Sequence, residues 1–344
     1  MMRDLIPTPI DAASTIDVDL LVLAAGFEDR ANALVTRANF KPDTHVVLVV
    51  FDNGIESNSR TNADYERVVA QRFSANLVHK VVLSQNEVVR FKANIRSIFG
   101  SLPDSVARIG IDVSGMPAYA IFAVLNEARA ARPYHDQLIL YTSASEYTPS
   151  REEYHQLVAK QGAEIEYIPK SMALEMDRNL IYDPFAGYRS GDRSSCLALF
   201  AGYELHRSTG VIDAVNPTVL LLVYGQPAGE NLEWRLDLSR RLHHKFETTR
   251  RCATEKCSTQ SIVENVELLE RYYDYIIDDY DLTIAPICSK MQTIATYIFW
   301  EKYPEVQVTF PLPIGYDPAR RPRGIASTYA VKLPGRLAFG GGAA

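Results

Sequence analysis

Carboxylate side chains that directly follow apolar runs are the first candidates for chemistry in the first half of this 344-residue chain: Glu28, Asp29, Asp52 and Asp112. If the apolar runs are neighbouring parallel strands, these groups lie at one edge of a sheet. Two converging carboxylates can act as acid and base in cleaving a glycosidic bond, including the removal of a base or nicotinamide from a nucleotide. Glu28 and Asp112 are therefore the candidate catalytic pair. A structural alternative stays open, in which Glu28 pairs with Arg30 or Arg151 inside the fold.

A second group of residues points to binding rather than catalysis. Four arginines belong to loops that occur twice in the sequence: Arg30, Arg151, Arg207 and Arg320. A guanidinium group binds phosphate through two parallel hydrogen bonds, and a tyrosine ring can stack on a nucleotide base. Tyr147 and Tyr316 each begin a Tyr-x-Pro-x-Arg segment. These residues are predicted to bind a nucleotide or another phosphorylated small molecule. Glu204, in the same repeated loop as Arg207, is a further candidate ligand-binding residue. The alternative pairs Glu204 with Arg207 or Arg320 as an internal strut.

Glycines and a serine at predicted turns favour the same kind of ligand. Gly26 ends the first apolar run, and a glycine there permits positive φ or a close approach of ligand to backbone. Ser114 and Gly115 precede a predicted helix with Pro117 in its first turn, where backbone N–H groups can face an anion. The same pattern also fits an ordinary helix N-terminus, so anion binding and capping both remain open.

The elements that position these residues follow from hydrophobic periodicity. Short apolar runs typical of strands covered on both faces occupy residues 19–25, 45–51, 77–83, 108–114 and 137–143. Apolar residues three or four apart predict helices over residues 63–75, 86–100 and 118–131, with Asn86 as an N-cap. Strands that alternate with helices predict a parallel sheet in the Rossmann-like class of α/β folds.

The second half of the chain repeats the first. Four landmarks recur in the same order at separations of 169 to 176 residues: Gly26 and Gly202, Phe51 and Tyr224, Ser114 and Cys288, Tyr147 and Tyr316. An internal repeat sets the architecture, so the sequence predicts two tandem Rossmann-like lobes with mainly parallel sheets, derived from an internal duplication. The expected boundaries are lobe 1 over residues 1–165, a connector over 166–195, lobe 2 over 196–334 and a flexible tail over 335–344.

The turn at residues 112–115 also carries a family resemblance. A strand followed by Asp-Val-Ser-Gly and an apolar helix resembles the motif of the CRISPR-associated Rossmann fold (CARF) sensor domains, and it is similar to the SAVED domains, in which two such units are fused. The resemblance implies that Asp112, Ser114 and Gly115 contact a cyclic oligonucleotide. In the second lobe the same place is held by residues 288–290, among them Ser289 and Lys290.

The resemblance also implies a biological role. Proteins of these families act as sensors or regulatory subunits in prokaryotic antiviral defence. This chain shows no appended nuclease, protease or membrane-spanning effector, so such a role calls for a separate effector protein. Each lobe departs from the families, because the first lacks the lysine that commonly follows the glycine, and the second has Lys290 but lacks the glycine.

Composition excludes several classes. A formal charge of -6, with 47% hydrophobic and 23% charged residues, is that of an ordinary globular protein and does not suggest a general nucleic-acid coat. The sequence shows no apolar run of membrane-spanning length and no leader, which predicts a cytoplasmic protein without a membrane partner. The four cysteines complete no metal set, so neither a metal nor a cofactor is expected. Walker A, G-x-G-x-x-G and G-x-S-x-G motifs are absent from the sequence.

Three functions therefore stand at this point. The preferred one is a sensor or regulatory subunit that binds a nucleotide, a cyclic oligonucleotide or another phosphorylated ligand. The first alternative is a hydrolase that cleaves a nucleotide or nucleoside with the carboxylates of the first lobe. The second alternative is a scaffold that binds proteins without catalysis. The sequence leaves open whether the protein is an enzyme and whether it forms a homo-oligomer.

Overall fold

The computed structural model of the chain describes residues 5–11, 14–26, 28–52, 56–162, 165–168, 171–229 and 231–335. These residues form two compact units. The first unit holds residues up to 147 and resumes at residue 321, and the second holds residues 148–320. The chain therefore leaves the first unit within one Tyr-x-Pro-x-Arg segment, residues 147–151, and returns directly after the other, residues 316–320.

Strands and helices alternate along most of the described chain. The strands in chain order are β1 (Thr8–Ile10), β2 (Leu20–Ala24), β3 (His45–Phe51), β4 (Val78–Leu83), β5 (Ile109–Asp112), β6 (Gln137–Thr142), β7 (Met176–Leu180), β8 (Ser194–Ala201), β9 (Val219–Gln226), β10 (Cys252–Ser258), β11 (Tyr280–Pro286), β12 (Gln307–Val308), β13 (Phe310–Pro313) and β14 (Thr328–Leu333). The α-helices in chain order are α1 (Ala33–Arg37), α2 (Glu56–Arg72), α3 (Val88–Ser101), α4 (Ala118–Ala131), α5 (Arg151–Gln161), α6 (Leu205–Val215), α7 (Glu233–Thr249), α8 (Ile262–Ile276) and α9 (Lys290–Lys302).

The first unit is built on a seven-stranded sheet with the order β1-β14-β6-β5-β2-β3-β4. Strands β2 to β6 pair in parallel, and β14 and β1 add an antiparallel edge. Every residue of β2 and β5 is buried, as their continuous apolar runs predicted. The five predicted strands of this half are confirmed to within two residues at each end.

The second unit is built on a five-stranded sheet with the order β10-β9-β8-β11-β12, in which all neighbours are parallel. When the five parallel strands of each sheet are numbered 1 to 5 in chain order, both sheets have the strand order 3-2-1-4-5. The prediction of two Rossmann-like lobes with mainly parallel sheets is therefore confirmed, and the repeat in the sequence corresponds to a repeat in topology.

The predicted lobe boundaries differ from the units that form. Strand β14 pairs along the whole of β6, so residues 328–333 complete the first sheet instead of ending the second lobe at residue 334. Helix α5 belongs to the second unit, although the first lobe was expected to extend to residue 165. The expected connector contains β7, which pairs with β13. Local sequence patterns cannot show such pairings between distant segments. Most of the predicted tail, residues 336–344, lies outside the described residues.

Helix starts are partly as predicted. Helix α3 begins after Glu87 as its N-cap, one residue beyond the predicted Asn86. Helices α5 and α9 both begin with a capping box, formed by Ser150 with Glu153 and by Ser289 with Gln292. Over the part of the chain that the structure describes, none of the helices combines the length and the apolar character that crossing a bilayer requires.

Glycine packing brings the first and fourth parallel strands of each sheet together. A Cβ on Gly26 would lie 3.0 Å from Gly115 Cα, and one on Gly115 would lie 2.9 Å from the Ala24 carbonyl oxygen. In the second unit, a Cβ on Gly202 would lie 2.9 Å from the Ile287 carbonyl oxygen. These glycines are therefore required for a close approach of two backbones, at the point where the strand order reverses.

This packing predicts an effect on stability. Gly115→Ala places a methyl group against backbone that cannot move aside, and we expect it to lower the free energy of unfolding by about 1–3 kcal/mol in urea denaturation. Gly100→Ala is the matched control, because its Cβ meets nothing within 4 Å in helix α3 and should stabilise the protein by about 0.5–1 kcal/mol. Equal stability of the Gly115 variant and the wild type would contradict the tight crossing.

Candidate functional site

The loop after β2 is centred on a buried arginine. The Arg30 side chain is only 7% exposed, and its Nε donates to the Glu28 carboxylate. Its Nη1 donates to the hydroxyl oxygens of Tyr141, at 3.0 Å, and Tyr147, at 3.4 Å. Its guanidinium carbon also lies 5.6 Å and 5.7 Å from the centres of the two rings. The sequence left open whether Glu28 pairs with Arg30 or Arg151 or takes part in catalysis. In the structure Glu28 pairs with Arg30, and both side chains are largely buried.

Electrostatics hold this cluster in one charge state. Burial acts to lower the pKa of Arg30, but the charge of Glu28, the neighbouring Tyr141 and Tyr147, and the hydrogen bond to Glu28 together raise that pKa above its ordinary value. Burial also raises the pKa of Tyr141. The arginine is therefore charged and the Tyr141 hydroxyl keeps its proton at neutral pH. Tyr147 in addition accepts a hydrogen bond from the Ala144 backbone at 3.0 Å, which fixes the loop after β6.

Asp112 and Ser114 form a second buried group at the end of β5. The Ser114 backbone N–H donates to Asp112 Oδ1 at 2.9 Å, and the Ser114 hydroxyl donates to the same oxygen. The hydroxyl oxygen in turn accepts the Thr142 N–H at 2.8 Å, so Ser114 links β5 to β6. Burial raises the pKa of Asp112 to about 6, and the Ser114 hydrogen bonds and the charge of Arg30 oppose that rise.

Both predicted catalytic carboxylates, Glu28 and Asp112, are therefore largely shielded from solvent. The side chain of Glu28 is 12% exposed and holds Arg30, while Asp112 is 3% exposed and holds Ser114. The backbones of Gly26 and Gly115 pack directly against each other and leave little space between their two loops. The other predicted carboxylates differ, because Asp52 is exposed and Asp29 accepts the Gly324 N–H at 2.8 Å.

The second unit repeats the glutamate and arginine strut. Glu204 Oε2 accepts from Arg207 Nη1 at 2.6 Å, and Glu204 Oε1 accepts the Ala173 N–H at 2.7 Å. Arg207 also donates to the Pro311 carbonyl oxygen from Nε and Nη2, at 3.2 Å and 2.9 Å. The predicted alternative partner, Arg320, is not used by Glu204. Burial acts to lower the pKa of Arg207, but the charge of Glu204, with a smaller electrostatic contribution from the nearby Tyr316, raises it.

The predicted anion turn of the second unit is occupied by internal hydrogen bonds. The Ser289 hydroxyl donates to the Thr259 carbonyl oxygen at 2.7 Å and accepts the Gln292 N–H at 3.1 Å. Lys290 is half-buried as the first residue of α9. Burial raises the pKa of Cys288 to about 12, so this thiol stays protonated at neutral pH. Ser289 thus acts as the N-cap of helix α9.

The remaining predicted residues lie where the chain enters and leaves the second unit. Arg151 is exposed as the first residue of α5. The Arg320 guanidinium pairs with Glu153, and its carbonyl oxygen accepts the Thr148 hydroxyl at 2.7 Å. Tyr316 forms an antiparallel bridge with Ala173. Within the second unit, these two segments are thus held by the Arg320 side chain and by backbone contacts of Arg320 and Tyr316.

A cavity of about 420 Å³ opens in the second unit beside the start of α6. Its volume lies in the range of small-molecule sites. Its apolar and aromatic lining comprises Tyr167, Ile168, Tyr203 and Leu205. Its polar lining comprises Glu166, Ser171, His206 and Thr209. Tyr203 directly follows Gly202 at the carboxyl end of β8, so the cavity begins where ligands bind in open parallel sheets.

Sequence reasoning missed this cavity. Tyr203 lies within the repeated Gly-aromatic-Glu motif, so the sequence does mark its position. The motif itself does not distinguish Tyr203 from the neighbouring Gly202 and Glu204. His206 is one turn further into the chain and was not considered. Glu166, Tyr167 and Ile168 lie in the expected connector, where no local pattern indicates a binding role. The counterpart of Tyr203 in the first copy, residue 27, lies outside the described residues.

No group of three or more His, Cys, Asp or Glu side chains within the described ranges is arranged to hold an ion. The four cysteines have free thiols, and burial raises the pKa of Cys196 to about 11 and of Cys257 to about 12. These thiols are therefore protonated at neutral pH and pack as small apolar groups.

The buried strut predicts a large loss of stability when the arginine is removed. Arg30→Met leaves Glu28 buried without its partner, and we expect the free energy of unfolding to fall by about 3–5 kcal/mol. Arg151→Met is the matched control because that side chain is exposed, and its effect should stay within about 0.5 kcal/mol. Urea denaturation measures both. Similar small effects of the two changes would show that Arg30 is not a strut.

The raised pKa of Asp112 predicts a pH dependence of stability. The group titrates near 3.9 when unfolded and at about 6 when folded, so its ionisation destabilises the fold as the pH rises through that window. Asp112→Asn removes this term while keeping an acceptor for Ser114. The stability of the variant relative to wild type should therefore rise by about 3 kcal/mol between pH 4 and pH 8. A stability difference that does not change with pH would contradict this placement.

Comparison with known proteins identifies no family. No protein-family model matches the chain, and no curated protein matches it. Among solved structures, the chain is similar to an MccF-like protein from Streptococcus pneumoniae, whose crystal structure is in complex with AMP. The identity is 11%, the alignment covers 94% of this chain and 98% of that one, and the TM-score is 0.18. A TM-score this low carries no argument about fold or function.

Proposed function

We propose that the protein binds a nucleotide or nucleoside in the cavity of the second unit and serves as a sensor or regulatory subunit. The observation that carries this proposal is the cavity itself, with two tyrosines in its lining at the carboxyl end of the first parallel strand. Ligands of open α/β sheets bind at this edge, and a pocket of mainly apolar walls with a few polar groups is the usual form of such a site.

The two tyrosines favour a flat ring as the occupant. Aromatic side chains stack on nucleotide bases, and each such contact contributes about 1–3 kcal/mol. The Tyr203 ring is already held by Arg235, whose guanidinium carbon lies 5.9 Å from its centre. Burial raises the pKa of Tyr203 to about 12, so its hydroxyl keeps its proton at neutral pH. Tyr167 is about half exposed and can adjust to a ligand.

Binding is preferred to hydrolysis because of how the carboxylates are used. Glu28 is paired with Arg30, and Asp112 accepts two hydrogen bonds from Ser114. A general acid or base must reach the proton that it transfers, and these contacts leave both groups inside the fold. No specific observation favours the hydrolase.

The biological setting is proposed from the resemblance alone. The Asp-Val-Ser-Gly turn and the duplicated fold support a place among sensors of prokaryotic antiviral defence that act through a separate effector protein. In that setting the ligand is a cyclic oligonucleotide or a related nucleotide. Co-purification with a separate effector protein that depends on the ligand is the expected result, and co-purification that does not depend on the ligand would argue against a sensor.

Binding at the cavity is tested by thermal denaturation and calorimetry with adenosine, AMP and cyclic oligoadenylates. A ligand at 100 times its dissociation constant should add about 2.7 kcal/mol of stability. Tyr167→Ala should weaken binding by about 5- to 150-fold through loss of stacking. Tyr275→Ala is the matched control, since that tyrosine is 85% exposed on α8 and should leave affinity unchanged.

Two results would decide against the proposal. If no nucleoside or nucleotide shifts the melting curve, the cavity does not serve this class of ligand. If the two tyrosine variants bind a ligand equally well, that ligand lies elsewhere. Chromatography of the bound ligand after incubation separates binding from hydrolysis, and we expect the ligand to be recovered unchanged.

A further inference from the structure

Two histidine side chains meet on the sheet of the first unit, at the amino ends of the neighbouring parallel strands β3 and β4. His79 pairs with Val47, and His45 lies two residues before Val47 on the same strand. Because residues two apart in a strand share a face, both imidazoles stand on one face of the sheet. His45 Nδ1 lies 3.4 Å from His79 Nε2, the ring centres are 5.7 Å apart, and the ring planes differ by 13°. The rings therefore meet edge to edge through these two nitrogens.

The histidine pair lies where water can reach it. Both residues are half-buried, whereas the next residues on the same face of their strands, Val47 and Val81, are buried. The imidazoles thus stand at the solvent end of a face that continues into the apolar core. Water molecules can supply further ligands to an ion held between the two rings.

The spacing of the two nitrogens matches that of two ligands on one zinc ion. Zinc binds histidine nitrogen at about 2.0–2.1 Å, and tetrahedral angles then separate two such nitrogens by about 3.3–3.4 Å. The observed separation is 3.4 Å. An ion bound equally by both would lie about 30–35° off the line that joins the nitrogens. Turning each ring about its last side-chain torsion, which has a broad range, brings the lone pairs onto the ion without moving either strand.

We propose that His45 and His79 form a binding site for one divalent transition-metal ion, for which zinc has the matching geometry, with water as the remaining ligands. His45 Nδ1 and His79 Nε2 donate their lone pairs to the ion, and each ring carries its proton on the other nitrogen. Both rings stay neutral, because the proton of their present hydrogen bond moves to an outer nitrogen by exchange with water. Two protein ligands are fewer than the three or four of structural and catalytic zinc centres, so the ion exchanges readily.

The bound ion has a structural consequence, because β4 is the edge strand of the seven-stranded sheet. An ion shared by His45 and His79 links this edge strand to β3 through side chains as well as through the backbone ladder. Metal binding therefore stabilises the sheet edge. The proposal departs from the expectation of no metal, since the two histidines are 34 residues apart and form no motif in the sequence. It concerns the first unit and does not rest on the cavity of the second unit.

The test measures zinc binding to the folded full-length chain by calorimetry. Folded protein is required, because the thiols of an unfolded chain also bind zinc. We expect one zinc ion per chain for the wild type. His45→Gln and His79→Gln should each weaken binding by at least about 10-fold, since each removes one of two ligands. His135→Gln is the matched control at an exposed histidine of the first unit and should bind zinc as the wild type does. Magnesium, which takes oxygen ligands, should not compete.

A second measurement on the wild type removes any dependence on how well the variants fold. Zinc should shift the nitrogen-15 resonances of both His45 and His79 in NMR spectra and leave those of His135 unchanged. Loss of binding in both glutamine variants, together with shifts of both rings, would support the site. Zinc binding of equal affinity in all four proteins would place the ion elsewhere and overturn the proposal. A shift of one ring alone would overturn the shared ion, and absence of zinc binding would overturn the site altogether.

Discussion

A buried ion pair between a glutamate and an arginine organises each half of this protein. In the first unit Glu28 holds Arg30, which reaches the hydroxyl groups of Tyr141 and Tyr147. In the second unit Glu204 holds Arg207, which reaches the Pro311 carbonyl. A buried charge is tolerated only when it is paired and hydrogen-bonded, so each pair fixes the loop after the first parallel strand against segments far away in sequence. The rest of each carboxyl edge is built around that fixed loop.

The same constraint explains why the sequence repeats residues that look like a binding site. The Tyr-x-Pro-x-Arg segments are the places where the chain passes from one unit to the other. In the second unit the Arg320 side chain binds Glu153 and its backbone binds Thr148. In the first unit the backbones of Glu146 and Arg323 pair with each other. Within each unit, the segment that leaves is therefore hydrogen-bonded or ion-paired to the segment that returns. The repeated polar residues at these positions stabilise the fold.

A cavity of the described fold lies elsewhere, beside α6. In both copies glycine brings the first and fourth parallel strands into close contact, which leaves little room at the point where ligands of this fold usually bind. The second copy offers a cavity to one side of that point, where Tyr203 and His206 meet the segment around residues 166–168. The two copies of a duplicated fold can thus share the same glutamate and arginine ion pair and still differ in the ligands that they can bind.

The sequence by itself determined the class of fold, because burial of a parallel sheet requires continuous apolar runs and because the repeat was visible in Gly26 with Gly202 and in Tyr147 with Tyr316. It also narrowed Glu28 to two roles without choosing between them. Only the tertiary structure chose, since the choice depends on whether Glu28 meets Arg30 or open space. Pairing of β14 with β6 and the gathering of residues 166–168 around His206 were likewise decided there. Contacts between segments this far apart in sequence arise from packing of the whole unit. The local periodicity of apolar residues therefore does not predict them.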